Sequence, residues 1–358
     1  MTDISSMTEQ ELIDLLGEKG EKPYRAKQIF SWLHNRMAGA FEEMTDLPKS
    51  LREQLAAEYR ISSSPRVVKS SGLNKTLKIK TLSDTTCKYL FQIDNNIIIE
   101  SVYMNYHFGG SVCVSTQAGC RMDCAFCASG TGGLTRNLTA GEMCGQVYSI
   151  KKQLGEGPGD CPPRGDVSRV TLMGSGEPLD NLPNVLRFIG LITSEHGQNI
   201  GSRHITLSTC GLIPQIKELA ELRLQITLAV SLHAPNDEIR RRIMPVARSG
   251  SIEELVTVCK QYADRTKRRV TFEYALIKGL NDSATCARQL GKLLRGGLIH
   301  VNLIPINRVK EHRFYPSGKE AINKFTEILR EQNIETTIRR TLGGGVDAAC
   351  GQLKNSFV

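Results

Sequence analysis

The sequence predicts an α/β fold built on a parallel sheet, and three observations support this prediction. Six short apolar segments follow Ser111, and helical stretches alternate with them. The chain has 358 residues, enough for one large α/β domain with a small appendage. Its 40% hydrophobic and 23% charged content is ordinary for a folded protein without a membrane span. Strands interleaved with helices favour right-handed crossovers, so functional residues are expected at the carboxyl ends of the strands.

Residues 1–60 are predicted to form a small helical domain. TEQELIDLLGEKG carries a Thr–x–x–Glu capping box, and PYRAKQIFSWLHNR and PKSLREQLAAEYR each begin with proline. Residues 61–104 alternate apolar and polar, as in TLKIKTL, KYLFQI and NIIIESVYM, which predicts a short antiparallel β extension. The main α/β domain would span 105–340, with 341–358 as a C-terminal loop and tail. The Gly/Pro-rich stretch at 155–166 is interpreted as an inserted loop.

Charge is distributed unevenly along the chain, whose formal net charge is +9. Residues 1–60 carry 8 basic against 11 acidic side chains, so the excess of positive charge lies in the rest. It is concentrated in clusters such as RRR at 240–242 and RTKRR at 265–269. Such a surface attracts polyanions by counterion release, although solvated helix faces would explain the same clusters.

The cysteines indicate a reducing compartment. The chain has 11 of them, an odd number, and its first residues lack the basic and apolar regions of a secretory signal. We therefore expect a cytoplasmic protein and no disulfide scaffold.

Three of these cysteines, Cys120, Cys124 and Cys127, lie in GCRMDCAFCASGTGGL, directly after the first strand of the α/β region. A structural zinc site needs a fourth ligand, and the nearest candidate, Cys144, lies in a helical stretch. An iron–sulfur cubane held by three cysteines instead leaves one iron open for an exchangeable ligand.

Polar motifs end the strands that follow. MGSGEPLDN at 173–181 ends the second strand, and LSTCG at 207–211 and SLHAPND at 231–237 end the next two. Each has an ordinary alternative, since glycines after a strand often only make a turn and a single buried histidine is often only structural. Their order on successive strand ends, together with the cysteines, favours one shared site.

C-x3-C-x2-C with an aromatic residue before the last cysteine resembles the signature of the radical S-adenosylmethionine superfamily. The resemblance implies a partial (β/α)6 barrel whose [4Fe–4S] cluster is held by Cys120, Cys124 and Cys127, with S-adenosylmethionine on the open iron. GSGEP resembles the superfamily's GGEP motif, with Ser175 where methionine is common. Carried over by position, the S-adenosylmethionine site comprises Gly176, Glu177, Ser208, Ser231, Leu232, His233 and Asn307.

Two further cysteines, Cys113 and Cys350, extend the resemblance to the radical methyltransferases of 23S rRNA adenine, over YRAKQIFSWL, GGLTRNLTAGEM, SLHAPNDEIR and DAACGQL. In that family one S-adenosylmethionine methylates a carrier cysteine, here Cys350, and a second yields the radical that activates this methyl group. The methylene adds to the adenine ring, Cys113 attacks the carrier sulfur, and a Cys113–Cys350 disulfide remains. Glu100 matches the position of the family's proton acceptor. The alternative interpretation is that Glu100 is only an exposed carboxylate on a strand.

The resemblance implies methylation at adenine C2, of the adenine 2503 type in the peptidyl transferase centre, and tRNA adenine 37 as a further substrate. It also implies a monomer reduced by a flavodoxin or ferredoxin, with RNA contacts in the N-terminal helices from Arg25, Lys27, Lys49 and Arg52. The C8 methyltransferase of the same rRNA site, which confers phenicol resistance, shares the same catalytic residues. A radical activase would have no use for both Cys113 and Cys350, and a zinc-bearing RNA-binding protein would be colourless.

Overall fold

The computed structural model describes residues 1–63, 65–72, 86–94, 97–155, 166–306 and 314–339. The strands are β1 Thr2–Asp3, β2 Tyr59–Arg60, β3 Arg66–Gly72, β4 Thr86–Asp94, β5 Ile97–Tyr106, β6 Gly109–Cys113, β7 Gln117–Gly119, β8 Leu134–Asn137, β9 Val167–Leu172, β10 Ile205–Thr209, β11 Thr227–Ser231, β12 Val270–Leu276, β13 Ile299–Pro305 and β14 Glu335–Ile338. The helices are α1 Glu9–Glu18, α2 Tyr24–His34, α3 Lys49–Glu58, α4 Ala140–Gly155, α5 Leu182–Thr193, α6 Ile213–Glu221, α7 Asp237–Ile243, α8 Ile252–Thr266, α9 Ala284–Leu294 and α10 Lys319–Glu331. This alternation confirms the predicted α/β class.

The chain divides into two compact units. The first unit comprises residues 1–116, 137–170 and 181–202, and the second comprises residues 117–136, 171–180 and 203–358. This division does not test the four predicted domains, whose boundaries remain a prediction. Nowhere in the described ranges is a helix both long and apolar enough to cross a membrane.

In the first unit, the N-terminal residues form the three predicted helices α1, α2 and α3. The capping box is present: Thr8 Oγ1 accepts from the Glu11 N–H at 3.2 Å, and Glu11 Oε2 accepts from the Thr8 N–H at 2.7 Å. Proline precedes α2 and α3, where a missing N–H costs no intrahelical hydrogen bond. Each helix buries one apolar stripe, including Leu12 and Leu16 of α1, which holds it in the unit.

The first unit also contains antiparallel strands, in the order β3–β4–β5–β6. The antiparallel pairing of β3, β4 and β5 was predicted, whereas β6 was predicted as the first strand of the parallel sheet and instead pairs antiparallel with β5. Residues of KYLFQI lie in β4 and residues of NIIIESVYM in β5, whereas TLKIKTL lies outside the described residues. Lys88 pairs with Val102 and Val102 pairs with Cys113, so these three side chains share one face of the sheet. Glu100 lies two residues before Val102 and therefore points to the same face.

The second unit has the predicted parallel arrangement from β10 through β14. Helices separate these strands, as right-handed crossovers require. All five carboxyl ends consequently lie at one edge, where Ser231 is paired with Glu273 and Glu273 with Asn302. β14 was not predicted, because ETTI is short and only one of its four residues is buried.

Candidate active site

One pocket of the second unit opens at this carboxyl edge. Residues from the cysteine loop and from successive strand ends line it: Cys120, Met122, Cys124, Phe126, Cys127, Ser129, Leu172, Met173, Gly174, Gly176, Glu177, Ser208, Thr209, Cys210, Ser231, His233, Met244, Glu273, Ala275, Ile304, Ile306, Phe314 and Arg339. The structure therefore brings together the three predicted cluster ligands and five of the seven residues predicted to bind S-adenosylmethionine. Leu232 is fully buried beside them, and Asn307 lies outside the described residues.

The cysteine loop is closed by its own backbone. The Cys120 N–H donates to the Gly133 carbonyl at 2.9 Å, and the Cys127 N–H donates to the Cys124 carbonyl at 3.0 Å. Gly119, at φ +79°, begins the loop, and a Cβ there would lie 2.0 Å from the Gly133 oxygen. Only glycine permits this approach, which presents all three thiols to the same pocket.

The thiols are poorly compensated as anions. Burial raises the pKa of Cys120 to about 12, and the nearby Cys127 adds to this rise. Burial also raises the pKa of Cys124, again with contributions from the other two thiols. Thiols with such raised pKa values ionise when a metal centre binds them, so binding of a metal centre would release protons.

Two observations bear on which group could bind there. Across the described ranges, no three Cys, His, Asp or Glu side chains form a group that could hold a single metal ion, whereas the thiols that hold a cubane each bind a different iron. The donor set itself, three thiols of one loop beside a larger pocket lined by strand ends, fits an iron–sulfur cluster with room for a cosubstrate.

Glu177 is a buried carboxylate held by neutral donors. It is 4% exposed, its Oε1 accepts from the Leu179 N–H at 3.0 Å, and its Oε2 accepts from the Cys210 N–H at 2.7 Å. Burial raises the pKa of Glu177 even though these hydrogen bonds oppose the rise. A ligand ammonium would supply the missing positive charge.

Gly176 explains why Glu177 can take this position. Its φ is +106°, and a Cβ would lie 2.8 Å from the backbone nitrogen of Gln117. Gln117 Oε1 in turn accepts from the Glu177 N–H at 2.8 Å. The glycine of GSGE is thus required by close packing against the start of the cysteine loop.

His233 lines the pocket as a neutral ring. It has φ +55° and is 4% exposed, and its Nδ1 accepts from the Ala275 N–H at 2.9 Å. Burial and the charge of Arg240 lower the pKa of His233 to about 3. The single ring proton therefore lies on Nε2, which is left to donate. Phe126 packs edge-on against this ring at 4.8 Å between centroids.

Glu100 and Cys113 lie on the same face of the antiparallel sheet in the first unit. Glu100 is only 2% exposed, so it is not the exposed strand carboxylate of the alternative interpretation. Lys88 Nζ lies 2.8 Å from Glu100 Oε1, and Lys88 is itself only 12% exposed. Cys113 is 7% exposed, and its predicted partner Cys350 lies outside the described residues, as does most of the 155–166 loop.

Sequence reasoning missed several residues of these sites. Glu273 lines the pocket and accepts from Asn302 Nδ2 at 2.9 Å, and Arg339 lines the same pocket after β14. A single carboxylate inside the apolar RVTFEYALI was the available signal for Glu273. Lys88 could not be found in this way, because only the strand register places it beside Glu100.

Comparison with known proteins identifies the family to which this fold belongs. Residues 2–61 match a family model described as "Ribosomal RNA large subunit methyltransferase N-terminal domain", and residues 114–286 match the Radical SAM superfamily. A solved radical SAM methyltransferase from Sphaerobacter thermophilus is 41% identical, covers 99% of this chain and 99% of its own, and superposes with a TM-score of 0.89. The fold is therefore that of a Radical SAM methyltransferase, as the sequence predicted.

The more specific assignment comes from full-length relatives. A protein of Lachnospira eligens named "Probable dual-specificity RNA methyltransferase RlmN" is 46% identical over 360 residues, which cover 100% of this chain and 97% of that relative. A protein of Clostridium botulinum with the same name is 47% identical over 358 residues, which cover 100% of this chain and 99% of the relative. The chain belongs to the dual-specificity RNA methyltransferase RlmN family.

Proposed function

We propose that this chain methylates C2 of an adenosine in 23S rRNA, of the adenine 2503 type, and adenine 37 of tRNA. The observation that carries the proposal is the single pocket that combines Cys120, Cys124 and Cys127 with Glu177 and His233 at the strand ends. The relatives' name, which specifies dual specificity for RNA, supports two RNA substrates.

In this proposal Cys120, Cys124 and Cys127 would hold one [4Fe–4S] cluster. S-adenosylmethionine, two molecules per turnover, would bind against Gly176, Glu177, Ser208, Ser231, Leu232, His233 and Asn307. When bound, the cluster and S-adenosylmethionine together supply one-electron reduction and hydrogen-atom abstraction. A flavodoxin or ferredoxin would be the reductant, and the chain would act as a cytoplasmic monomer.

The chain's own residues supply binding and orientation. Glu177, which accepts hydrogen bonds from two neutral backbone N–H groups, would receive the α-ammonium of the cosubstrate and so gain a positively charged partner. His233 would donate from Nε2 while Nδ1 is held by the Ala275 N–H. The apolar Phe126 and Met244 would exclude water beside these polar groups.

Three residues would carry the transfer to RNA. The Cys350 thiol would lose its proton and accept the methyl group. This methyl group would give up one hydrogen atom to the radical chemistry that the cosubstrate supplies and would bind to the adenine carbon as a methylene bridge. Glu100 would take the proton leaving the ring carbon, with one electron passing back to the cluster. The Cys113 thiolate would then attack the Cys350 sulfur and break its bond to the methylene carbon, which would take up a proton, so that the methylated base leaves and a Cys113–Cys350 disulfide forms. Burial of Glu100 and Cys113 on one sheet face, with Lys88 beside the carboxylate, supports this assignment.

The decisive experiment is methylation of an unmodified 23S rRNA fragment and of tRNA by the anaerobically reconstituted protein. Nuclease digestion and mass spectrometry separate 2-methyladenosine from 8-methyladenosine. We expect 2-methyladenosine, with none from a variant in which Cys120, Cys124 and Cys127 are all alanine. A product methylated at C8 would replace the proposal with the related resistance activity, and no methylated adenosine at all would refute it.

The substrate should be accessible RNA. An adenine can be attacked at C2 only when it is unstacked, so naked or partly assembled 23S rRNA is the expected substrate and the mature subunit is not. Binding should weaken with salt as phosphate contacts are lost. Equal methylation of intact large subunits would contradict this.

A further inference from the structure

Arg240 of α7 is a charged side chain buried in the second unit. It is 2% exposed, and it donates hydrogen bonds to three backbone carbonyls. Its Nη2 donates to the Cys210 oxygen at 2.7 Å and to the Ser231 oxygen at 3.4 Å, and its Nε donates to the Leu232 oxygen at 3.3 Å. The guanidinium therefore ties together the carboxyl ends of β10 and β11, the two strands that deliver Cys210 and Ser231 to the pocket.

The same helix is attached to the cysteine loop. The Ile243 carbonyl at the end of α7 accepts the N–H of Ala125, which lies between Cys124 and Cys127, at 2.9 Å. Ile243 and Met244 pack in one buried cluster with Cys210, against which Met122, Cys124 and Phe126 lie. Arg240 is thus placed directly behind the loop, one helical turn before the residue that contacts it.

Its charge is not balanced by a carboxylate in direct contact. Within the described parts of the chain, no acidic side chain forms an ion pair with Arg240. Asp237, on the same helix and within its electrostatic reach, accepts from the Ile252 N–H at 2.9 Å and lies 3.7 Å from Arg241. From the other elements, Cys210, Cys124, His233 and Cys259 are the titratable groups within its electrostatic reach. Burying an uncompensated cation costs several kcal/mol.

The electrostatics point toward the cysteines. Cys124 of the cysteine loop packs against the buried cluster that contains Cys210, and the Arg240 guanidinium is hydrogen-bonded to the Cys210 carbonyl in that cluster. A negative group at the thiols would therefore be stabilised by Arg240 across a medium of low dielectric constant, where charges interact strongly.

We propose that Arg240 is the buried counter-charge of the cluster: it fixes two strand ends against the cysteine loop and raises the cluster's reduction potential. Reduction adds one negative charge to a group already held by three thiolates. A fixed cation favours the reduced form, and reduction is the step that starts turnover. This inference rests on the proposed function, since it requires a cluster at Cys120, Cys124 and Cys127.

The test is a redox titration of the reconstituted protein, followed by the electron paramagnetic resonance of the reduced cluster. Arg240→Met removes the charge and keeps a side chain of similar length, and Arg240→Lys keeps the charge but loses the forked guanidinium that donates to several carbonyls. Arg242→Met is the matched control, because it removes an exposed charge from the same helix. We expect Arg240→Met to disfavour reduction at least tenfold, a shift of about 59 mV to more negative potential for one electron. Arg240→Lys should shift less, and Arg242→Met should leave the potential unchanged.

The potential is measured on the loaded fraction, so partial loss of cluster does not obscure it. A merely structural role would lower iron content but leave this potential at the wild-type value, and that result in Arg240→Met would overturn the proposal. An equal shift in Arg242→Met would also overturn it. If the wild-type protein itself binds no cluster, the proposed function fails instead, and iron analysis distinguishes the two failures.

Discussion

The Lys88–Glu100 pair allows the buried sheet face of the first unit to be tested by a single substitution, Lys88→Met. The ammonium lies 2.8 Å from Glu100 Oε1, and the two side chains are 12% and 2% exposed. Methionine keeps an unbranched apolar chain of similar length but removes the charge. Glu100 then loses the ammonium 2.8 Å from its Oε1, so its buried carboxylate is less stabilised and is expected to be a poorer proton acceptor.

The magnitude follows from burial. Removing one partner of a buried ion pair costs about 3–5 kcal/mol, because the other charge is left uncompensated. Lys324–Glu327 is the matched surface pair at the same distance, with side chains 60% and 58% exposed, and such a pair is worth about 0–1 kcal/mol. Lys88→Met should therefore destabilise the protein several times more than Lys324→Met.

The assay combines urea unfolding with the methylation rate. Lys88→Met should lose both stability and methylation. Adding Glu100→Gln to it should restore much of the stability, since the carboxylate that lost its ammonium is then replaced by a neutral amide, but should not restore methylation, since the proton acceptor is gone. If Lys88→Met unfolds at the same urea concentration as Lys324→Met and methylates RNA at the wild-type rate, our account of this pair is wrong.

Three further predictions concern other parts of the protein. Cys113→Ala should accumulate a nuclease-sensitive protein–RNA adduct on denaturing gels, whereas Cys350→Ala should form none; the reverse pattern would exchange the two roles. Gly176→Ala should weaken S-adenosylmethionine binding, measured by equilibrium dialysis, at least tenfold and leave the cluster content unchanged. The reason is that the added Cβ collides with Gln117 and the positive φ costs roughly 1–2 kcal/mol. Gly190→Ala, with open space around it, is the control, and equal binding by the two variants would contradict the packing argument. Burial lowers the pKa of His34 to about 4, so between about pH 6.5 and 4 only the unfolded chain binds its proton and stability falls as the pH drops, by about 3 kcal/mol in all; His34→Gln should lack this component in thermal unfolding measured across that range, and an identical pH profile would refute it.

Much of the fold could be predicted because local patterns and tertiary structure agree. The Thr8–Glu11 box, the prolines before α2 and α3, and the apolar runs of β10 to β13 each depend on neighbours in the sequence. β14 escaped prediction because its pairing with β13, not its own pattern, makes it a strand.

The candidate site was predictable to the extent that it is written in short motifs. The spacing of Cys120, Cys124 and Cys127 and the order of GSGE, LSTCG and SLHAPND on successive strands were sufficient, because parallel strands necessarily bring their carboxyl ends to one edge. The positive φ of Gly176 also agrees with the presence of glycine at this position of the GSGE motif.

By itself, then, the sequence determined the α/β class, the cysteine loop and the residues at the strand ends, since these depend on contacts near in sequence or on a general rule of sheet geometry. Only the tertiary structure decided that Glu100 is buried and paired with Lys88, because the strand register, across eleven intervening residues, sets that distance. The tertiary structure alone also placed Arg240 behind the cysteine loop. In the sequence, Arg240 is one of three consecutive arginines that nothing in the composition distinguishes. Burial and pairing are properties of the folded surroundings, and no local pattern encodes which of three identical side chains leaves the solvent.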